Sequence, residues 1–292
     1  MLKKTGPYLF ILPALIVYLL LTIYPSLMTF YYSFTNYDGI LPASMTKFVG
    51  WSNYKYLFTQ DSSMLQAINN NIIWLALQII VGNGIALLFA ILLNSKIRGK
   101  RFFRSVFFAP VIISSAAVSF VWGYLLDPQV GDINKILISL GLEQFSHNWL
   151  GDPNSALLTI ISVDIWKSFG FNMVIFLAAL QTIPRDLYEA CTVDGANQRQ
   201  TFTRVTLPML LPTLGLVTIL TTNGTLRTFD MVYILTGGGP GYSTEVIMTR
   251  LFAEAFRSNR MGYGSAVSIV LFLILLVIAF IQLKSTEQKE IS

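Results

Sequence analysis

Charge is scarce in this 292-residue chain: Asp, Glu, Lys and Arg make up 12% of it, against 54% hydrophobic residues. Soluble domains carry roughly 25% charge, so an ordinary water-soluble globule is excluded. Cysteine and histidine are nearly missing as well. The single cysteine, Cys191, rules out an internal disulfide. The single histidine, His147, has no second His or Cys nearby and offers no ligand set for a metal. It cannot complete a Ser/His/Asp arrangement either. A phosphate cradle is also lacking, because the Gly99-Lys100 pair is followed by Arg101 and not by Ser or Thr. Neither catalysis nor a bound metal or cofactor is expected of this chain.

What the chain has instead is long apolar runs. Runs above twenty residues without charge make lipid the solvent, and six spans are expected, at about 8–30, 71–93, 106–126, 156–180, 207–235 and 266–283. The stretch after Lys3-Lys4 is too long for a signal-peptide core and has no small-residue cleavage site. It is expected to be the first span. Gly82 and Gly84 mark close packing in the second, and Ile133 to Leu137 is expected to form a short interfacial helix. The net charge of +5 does not point to nucleic acid, because the basic residues border the apolar spans. They carry topology information. The N-terminus, the 94–105 loop, the 184–206 loop and the tail carry two, five, three and two Lys or Arg. The 31–70, 127–155 and 236–263 loops carry two, one and three. The expectation is an all-α integral membrane protein, a single transmembrane domain over 1–292, with both termini and the 184–206 loop in the cytoplasm.

That loop organises the rest. Ile183 to Pro212 reads as two short helices joined at Asp194-Gly195, with Pro184 in a first turn and Gly195 permitting a sharp reversal. Leu187, Tyr188, Cys191 and Val193 give the first helix an apolar side, and Asp194 is expected to cap the second. Two to eight residues would suffice for a link, so the expectation is a docking knob for a cytoplasmic partner. An amphipathic pair lying on the membrane surface is the alternative. The residues Glu189-Ala190-Cys191, Asp194-Gly195-Ala196, Phe202 and Leu207-Pro208 resemble the EAA loop of ABC importer permeases, with Cys191 where a second Ala is usual. Gly131 to Leu137, the Trp166 region, Ala178 to Pro184 and the run Thr236-Gly-Gly-Gly-Pro240 resemble the maltose/oligosaccharide branch, type I-like in fold. The likeness extends from the third span to the loop before the sixth.

That resemblance implies a binding-protein-dependent sugar importer in the bacterial cell membrane. Its expected partners are a second homologous permease, two copies of a cytoplasmic ATPase holding ATP and Mg, and an extracytoplasmic sugar-binding protein. It also implies that Glu189, Ala190, Asp194, Gly195 and Ala196 form the ATPase-coupling site; Arg185 stands beside them as a candidate for a salt bridge. An aspartate at position 195 is expected to distort the turn. Charges within spans are costly unless paired or wetted. Asp164 with Lys167, and Arg227 with Asp230, are three apart and share a helix face. Each pair either neutralises itself and stiffens the bundle, or borders a water-filled pathway with Asn172, Asn223, Thr221 and Thr222. In the second case Trp166, Phe169 and Tyr233 supply stacking surfaces for a sugar. The run 237–241 is either a tight turn or an external contact loop. A self-sufficient ion-coupled secondary transporter, using Asp164 and Lys167 as a relay, is the alternative function, and it predicts an internal repeat.

Overall fold

Apolar runs broken by few polar residues must satisfy their backbone internally in lipid, and the helix does so. A computed structural model describes residues 11–42, 45–95 and 97–290, and among these one isolated bridge, Thr35 to Phe48, is the only β pairing. Lys3, Lys4, Lys96 and the start of the first span lie outside the described residues. Five helices are long and apolar enough to cross a membrane: α1 (Ile11–Tyr32), α3 (Ser62–Asn94), α7 (Ala156–Thr182), the run Gln198–Leu235, and α13, of which Met261–Gln282 qualifies within Met261–Glu290. A sixth is a pair, α4 (Lys100–Ile112) and α5 (Ser115–Leu125), bent by 97°. The third span expected as one helix is therefore two. Pro110 near the end of α4 removes a backbone donor, and the Ser114 side chain caps α5 by accepting from the Ala117 N–H at 3.2 Å.

The expected fifth span is also interrupted. Short helix α9 (Gln198–Thr201) passes through a π-helical turn, Phe202–Thr206, into α10 (Leu207–Leu226), which stops at Arg227. A separate helix, α11 (Asp230–Leu235), follows. Arg227 and Asp230 thus flank a break and do not share a helix face. The short helices α2 (Ser52–Thr59), α6 (Asp132–Ser139), α8 (Arg185–Val193) and α12 (Ile247–Phe252) complete the order, α6 covering the interfacial helix expected at 133–137.

Two compact units divide the chain, residues 1–65 with 250–274, and residues 66–249 with 275–292. In the first unit, Asn53 donates to the Ser33 and Thr35 carbonyls at 2.9 Å each, fixing the turn after α1. Gly262 lies where a Cβ would come within 2.2 Å of the Thr35 carbonyl oxygen, so the backbones touch there. In the same unit Asp61 is buried. It accepts from Arg250 at 3.1–3.2 Å, from the Tyr263 hydroxyl at 2.6 Å and from the Met64 N–H at 3.0 Å. Arg250 also meets the buried Glu254 at 2.8 Å, and Arg260 reaches Glu254 at 3.1 Å. Each carboxylate thereby has a cation.

In the second unit, α7 is the central element. Ala86, Ala90 and Leu93 of α3 and Leu210 and Val217 of α10 pack on its Met173, Phe176, Leu177 and Leu180. Trp74, Val118, Met231, Val232 and Val246 surround its first turns at Leu157, Ile160, Ile161 and Val163. Gly170 permits the approach of α4, since a Cβ there would sit 2.1 Å from the Phe107 carbonyl oxygen. Asn172 donates to Asn83 at 2.8 Å and to Thr221 at 3.3 Å, while Thr221 donates to Asn83 at 3.1 Å. Side-chain amides thus join α3, α7 and α10 in the manner of membrane helices.

The buried ionic cluster yields a first prediction. Arg250→Met strands Asp61 without its cation in a buried setting, and a loss of about 3–5 kcal/mol is expected, read as a lowered midpoint of thermal unfolding in detergent. Burial alone would raise the Asp61 pKa. The Tyr263 hydroxyl, the Met64 N–H and the Arg250 charge outweigh it and hold the carboxyl below its usual value. With the folded pKa below the unfolded one, its contribution is complete above about pH 4 and is lost as pH falls through the folded value. Unfolding midpoints measured from pH 6 down to pH 3 should fall steeply only below about 4, and Asp61→Asn should flatten that fall.

Candidate functional site: a polar pocket and a capped surface helix

Three irregularities in the membrane helices meet at one pocket of about 380 Å³ in the second unit. Val111 and Ser115 line it from either side of the α4/α5 bend, and Arg227, Thr228, Phe229 and Asp230 line it from the α10/α11 break. Gln78, where α3 widens to a π-helical turn over Gln78–Gly82, contributes the third. Non-helical backbone at membrane depth is tolerated where it lines a cavity, and that condition holds here. From α7 come Asp164, Lys167, Ser168, Phe171 and Asn172, and from α10 Leu220, Thr221, Gly224 and Thr225.

Five of the seven residues expected on a substrate pathway therefore converge: Asp164, Lys167, Asn172, Arg227 and Asp230. The other two lie elsewhere. Asn223 turns back to the Ile219 carbonyl at 3.5 Å, and Tyr233 stacks on Phe229 with ring centroids 4.9 Å apart. Of the two alternatives for these charges, pairing within each span is not the one seen, since no ion pair joins Asp164 to Lys167 or Arg227 to Asp230 among the described residues. Asp164 instead accepts from the Trp74 indole N–H at 3.0 Å and from the Gln78 amide. Neutral donors from α3 thus hold that carboxylate. Lys167 is half-buried, and Arg227 and Asp230 are exposed to the pocket side of the break.

The aromatic expectation needs correction. Phe169 is buried against Phe89 and Phe107, with centroids 5.7 and 6.0 Å away, and offers no stacking face. Trp166 packs edge-on to Trp122 at 5.5 Å. Phe171 and Phe229 are the rings on the pocket wall. Sequence reasoning missed them, along with Gln78. The signal for Gln78 was an amide inside an apolar stretch; Phe171 differs from Phe169 only by two positions of helix phase.

The second feature is the 184–206 loop. α8 begins after Pro184, an N-cap residue with ψ 135°, and ends in a Schellman motif. The Ala196 N–H donates to Cys191 O at 2.9 Å and the Gly195 N–H to Thr192 O at 3.2 Å. Gly195 takes φ +72°, which side chains seldom adopt, though a Cβ there would meet nothing within 4 Å. The reversal at Asp194-Gly195 is thus present. Asp194, however, closes α8 and does not cap the next helix. That role falls to Asn197, whose side chain accepts from the Gln200 N–H at 2.9 Å while Gln200 accepts from the Asn197 N–H at 2.8 Å. This reciprocal cap holds an end that Asp194, three residues earlier, is too far away to serve.

One face of α8 is tied to the bundle. Tyr188 packs against the α3–α7–α10 core and its hydroxyl meets Thr206 at 3.2 Å. Arg185, Glu189, Ala190, Asp194 and Gly195 are exposed, and Ala196 is half-buried. Val193, expected on the apolar side of α8, is 87% exposed. Of the apolar side expected for α8, only Tyr188 enters the core.

Interrupted apolar helices around a polar pocket, with a capped helix–turn–helix projecting beyond them, define a multi-pass membrane permease. Residues 82–285 match the family described as binding-protein-dependent transport system inner membrane component, and the chain belongs to that family. It is 36% identical to the probable ABC transporter permease protein YurN of Bacillus subtilis, over 97% of this chain and 96% of that one. It is 35% identical to the multiple sugar-binding transport system permease protein MsmF of Streptococcus mutans (99% and 98%) and 35% to the trehalose/maltose transport system permease protein MalF of Thermococcus litoralis (95% and 92%). Its fold matches a chain of a bacterial ABC transporter that imports the acidic polysaccharide alginate, with TM-score 0.85 and 25% identity over 98% of this chain and 97% of that chain. The protein is an inner-membrane permease of an ABC importer.

The caps yield a prediction of their own. Asn197→Ala removes an N-cap side chain and should cost about 1 kcal/mol. Hydrogen exchange of amides 198–201 should rise several-fold, with those of α7 unchanged.

Proposed function

We propose that this chain forms half of the translocation pathway of a sugar importer, with a neutral oligosaccharide or glycoside as substrate. The second half is a second homologous permease. Two copies of a cytoplasmic ATPase bind ATP and Mg and supply the energy, and this chain has no ATPase site. The termini and the 184–206 loop face the cytoplasm, a placement that the distribution of Lys and Arg supports. The observation that carries the reading is α8 itself: braced at its base by Tyr188 and Thr206, capped at its end, and presenting Glu189 and Val193 outward. A helix built only to link two spans has no need of that rigidity.

Coupling is then mechanical. Closure of the ATPase dimer displaces α8, and the displacement passes through the continuous run from α9 into α10. It ends at the α10/α11 break on the pocket wall. Rigid shifts of this sort turn small movements at one site into opening at another. In the pocket, hydroxyl groups of a sugar meet the amide of Asn172, the hydroxyls of Ser168, Thr221 and Thr228, and the rings of Phe171 and Phe229. Relatives named for trehalose, maltose and multiple sugars support that substrate class.

Co-purification tests the coupling site. Tagged wild-type chain should bring down a second permease and an ATPase, and Glu189→Arg should lose the ATPase while keeping the permease. Retention of the ATPase in full by Glu189→Arg would remove the docking assignment. Because open space surrounds Gly195, Gly195→Ala carries only the cost of its left-handed backbone, about 1 kcal/mol, and should still transport. Gly195→Asp adds a charge to the docking face and should lower uptake far more at equal complex yield. Equal uptake by the two variants would show that the reversal alone matters.

A further inference from the structure

The glycine-rich loop after α11 is bound to the pocket rim by two adjacent asparagines that nothing above has used. Asn70 and Asn71 lie in α3, each only 1% exposed. Asn70 donates to the Ser243 carbonyl at 2.9 Å and to the Glu245 carbonyl at 2.8 Å, and it accepts from Gln66 at 3.0 Å. Asn71 accepts from the Ile247 N–H at 2.9 Å and donates to the Thr225 carbonyl at 3.3 Å. Thr225 is in the last turn of α10, its carbonyl also accepts from the Thr228 N–H at 3.2 Å, and it lines the pocket just before the Arg227–Phe229 break.

The loop is itself stiff. Thr244 donates to the Gly239 carbonyl at 2.7 Å and meets the Thr236 hydroxyl at 2.7 Å, so its two ends are tied across the turn. Gly237, Gly238 and Gly241 take positive φ, which lets the chain close so tightly. Tyr242 is 52% exposed at its tip. On one side the loop continues covalently into α11, the far bank of the break. On the other side, Asn70 and Asn71 connect it to Thr225, the near bank.

We propose that Asn70 and Asn71 are positioning residues: a brace across the α10/α11 break that makes the 236–247 loop and the pocket wall move as one. A partner pressing on the loop then shifts Arg227 and Asp230 in the pocket without touching them. The inference rests on the importer reading proposed above and adds to it that this loop, on the side opposite the termini, is where the binding protein docks.

Asn71→Asp tests it, because the carboxylate keeps the acceptor for Ile247 N–H but sets an oxygen against the Thr225 carbonyl. Asn70→Asp does the same toward Ser243 and Glu245. The complex is reconstituted in liposomes with its ATPase and binding protein, and maltose and trehalose serve as probes. In each variant, the binding-protein concentration giving half-maximal uptake should rise about tenfold, the loss of roughly one buried hydrogen bond. Stimulation of ATP hydrolysis by loaded binding protein should fall in parallel, with the unstimulated rate unchanged. A purely structural role would instead lower the yield of assembled complex and leave uptake and stimulation per complex at wild-type values; that result overturns the brace. If the Asp variants do not assemble, Asn70→Ser and Asn71→Ser are measured in the same way, and the same outcomes support or overturn the brace. A wild-type complex that neither probe nor binding protein stimulates would overturn the sugar-importer reading and the brace with it. A wild type that responds beside variants that respond equally would overturn the brace alone.

Discussion

Lipid offers no hydrogen bonds, so each backbone N–H and C=O in a span must find a partner within the protein. Everything distinctive in this permease follows from where that rule is relaxed. The helices are interrupted at Ile113-Ser114 and at Arg227–Phe229, and α3 widens at Gln78–Gly82. All three irregularities border the same polar pocket. Ser114 caps one of the freed ends and Asn71 reaches another. Some of the polar side chains that look costly in a hydropathy plot are therefore partners for broken backbone, and others line the pocket. The cavity and the breaks go together, with Ser114 and Asn71 holding freed backbone beside the wall that other polar residues line.

Charge inside the pocket obeys a related limit. An isolated carboxylate at membrane depth is expensive, yet Asp164 makes no salt bridge among the described residues. The Trp74 indole and the Gln78 amide satisfy it without fixing a cation beside it, and Lys167 remains free to face the pocket. A tight Asp164–Lys167 pair would have closed that face and removed both groups from any ligand. In the first unit the opposite solution is used. Asp61 and Glu254 are buried among Arg250, Arg260 and Tyr263 with every partner supplied by the chain itself. Such a cluster is costly to break and has nothing left to offer a ligand, which suits a structural joint.

How much of this could be read from the sequence depended on the range of the interaction. Helix identity, the EAA-like loop and its reversal at Gly195 are local, set by apolar runs and by a residue that tolerates φ +72°, and they were legible. The breaks were not, because Pro110 and the pair Thr228-Phe229 do not end a helix by propensity alone. What ends it is a cavity on one side, known only once α3, α7 and α10 are packed. Cap assignment failed for a similar reason. Asp194 and Asn197 are both good capping residues, and the Schellman geometry consumes Asp194 first. Phe169 and Phe171 show the limit most plainly: two rings in one helix, one in the core and one on the pocket wall, separated by a phase that hydropathy does not carry when the whole span is apolar.

Rigidity at both ends of the pathway has a common logic. α8 is held by its caps and by Tyr188, and the 236–247 loop by Thr236, Thr244 and the two asparagines. Between them the run from Gln198 to Leu226 is continuous helix, passing through a π-helical turn but never through a loop. In the proposed coupling, a stiff rod carries displacement along its length to the break at Arg227–Phe229 on the pocket wall, and the asparagine brace carries it across to the loop. Were the rod to bend earlier, at the π turn over Phe202–Thr206, motion of α8 would be absorbed before it reached the substrate. The Tyr188–Thr206 contact joins α8 directly to the last residue of that turn, so in the proposed coupling a push on α8 reaches the start of α10 without depending on the turn alone.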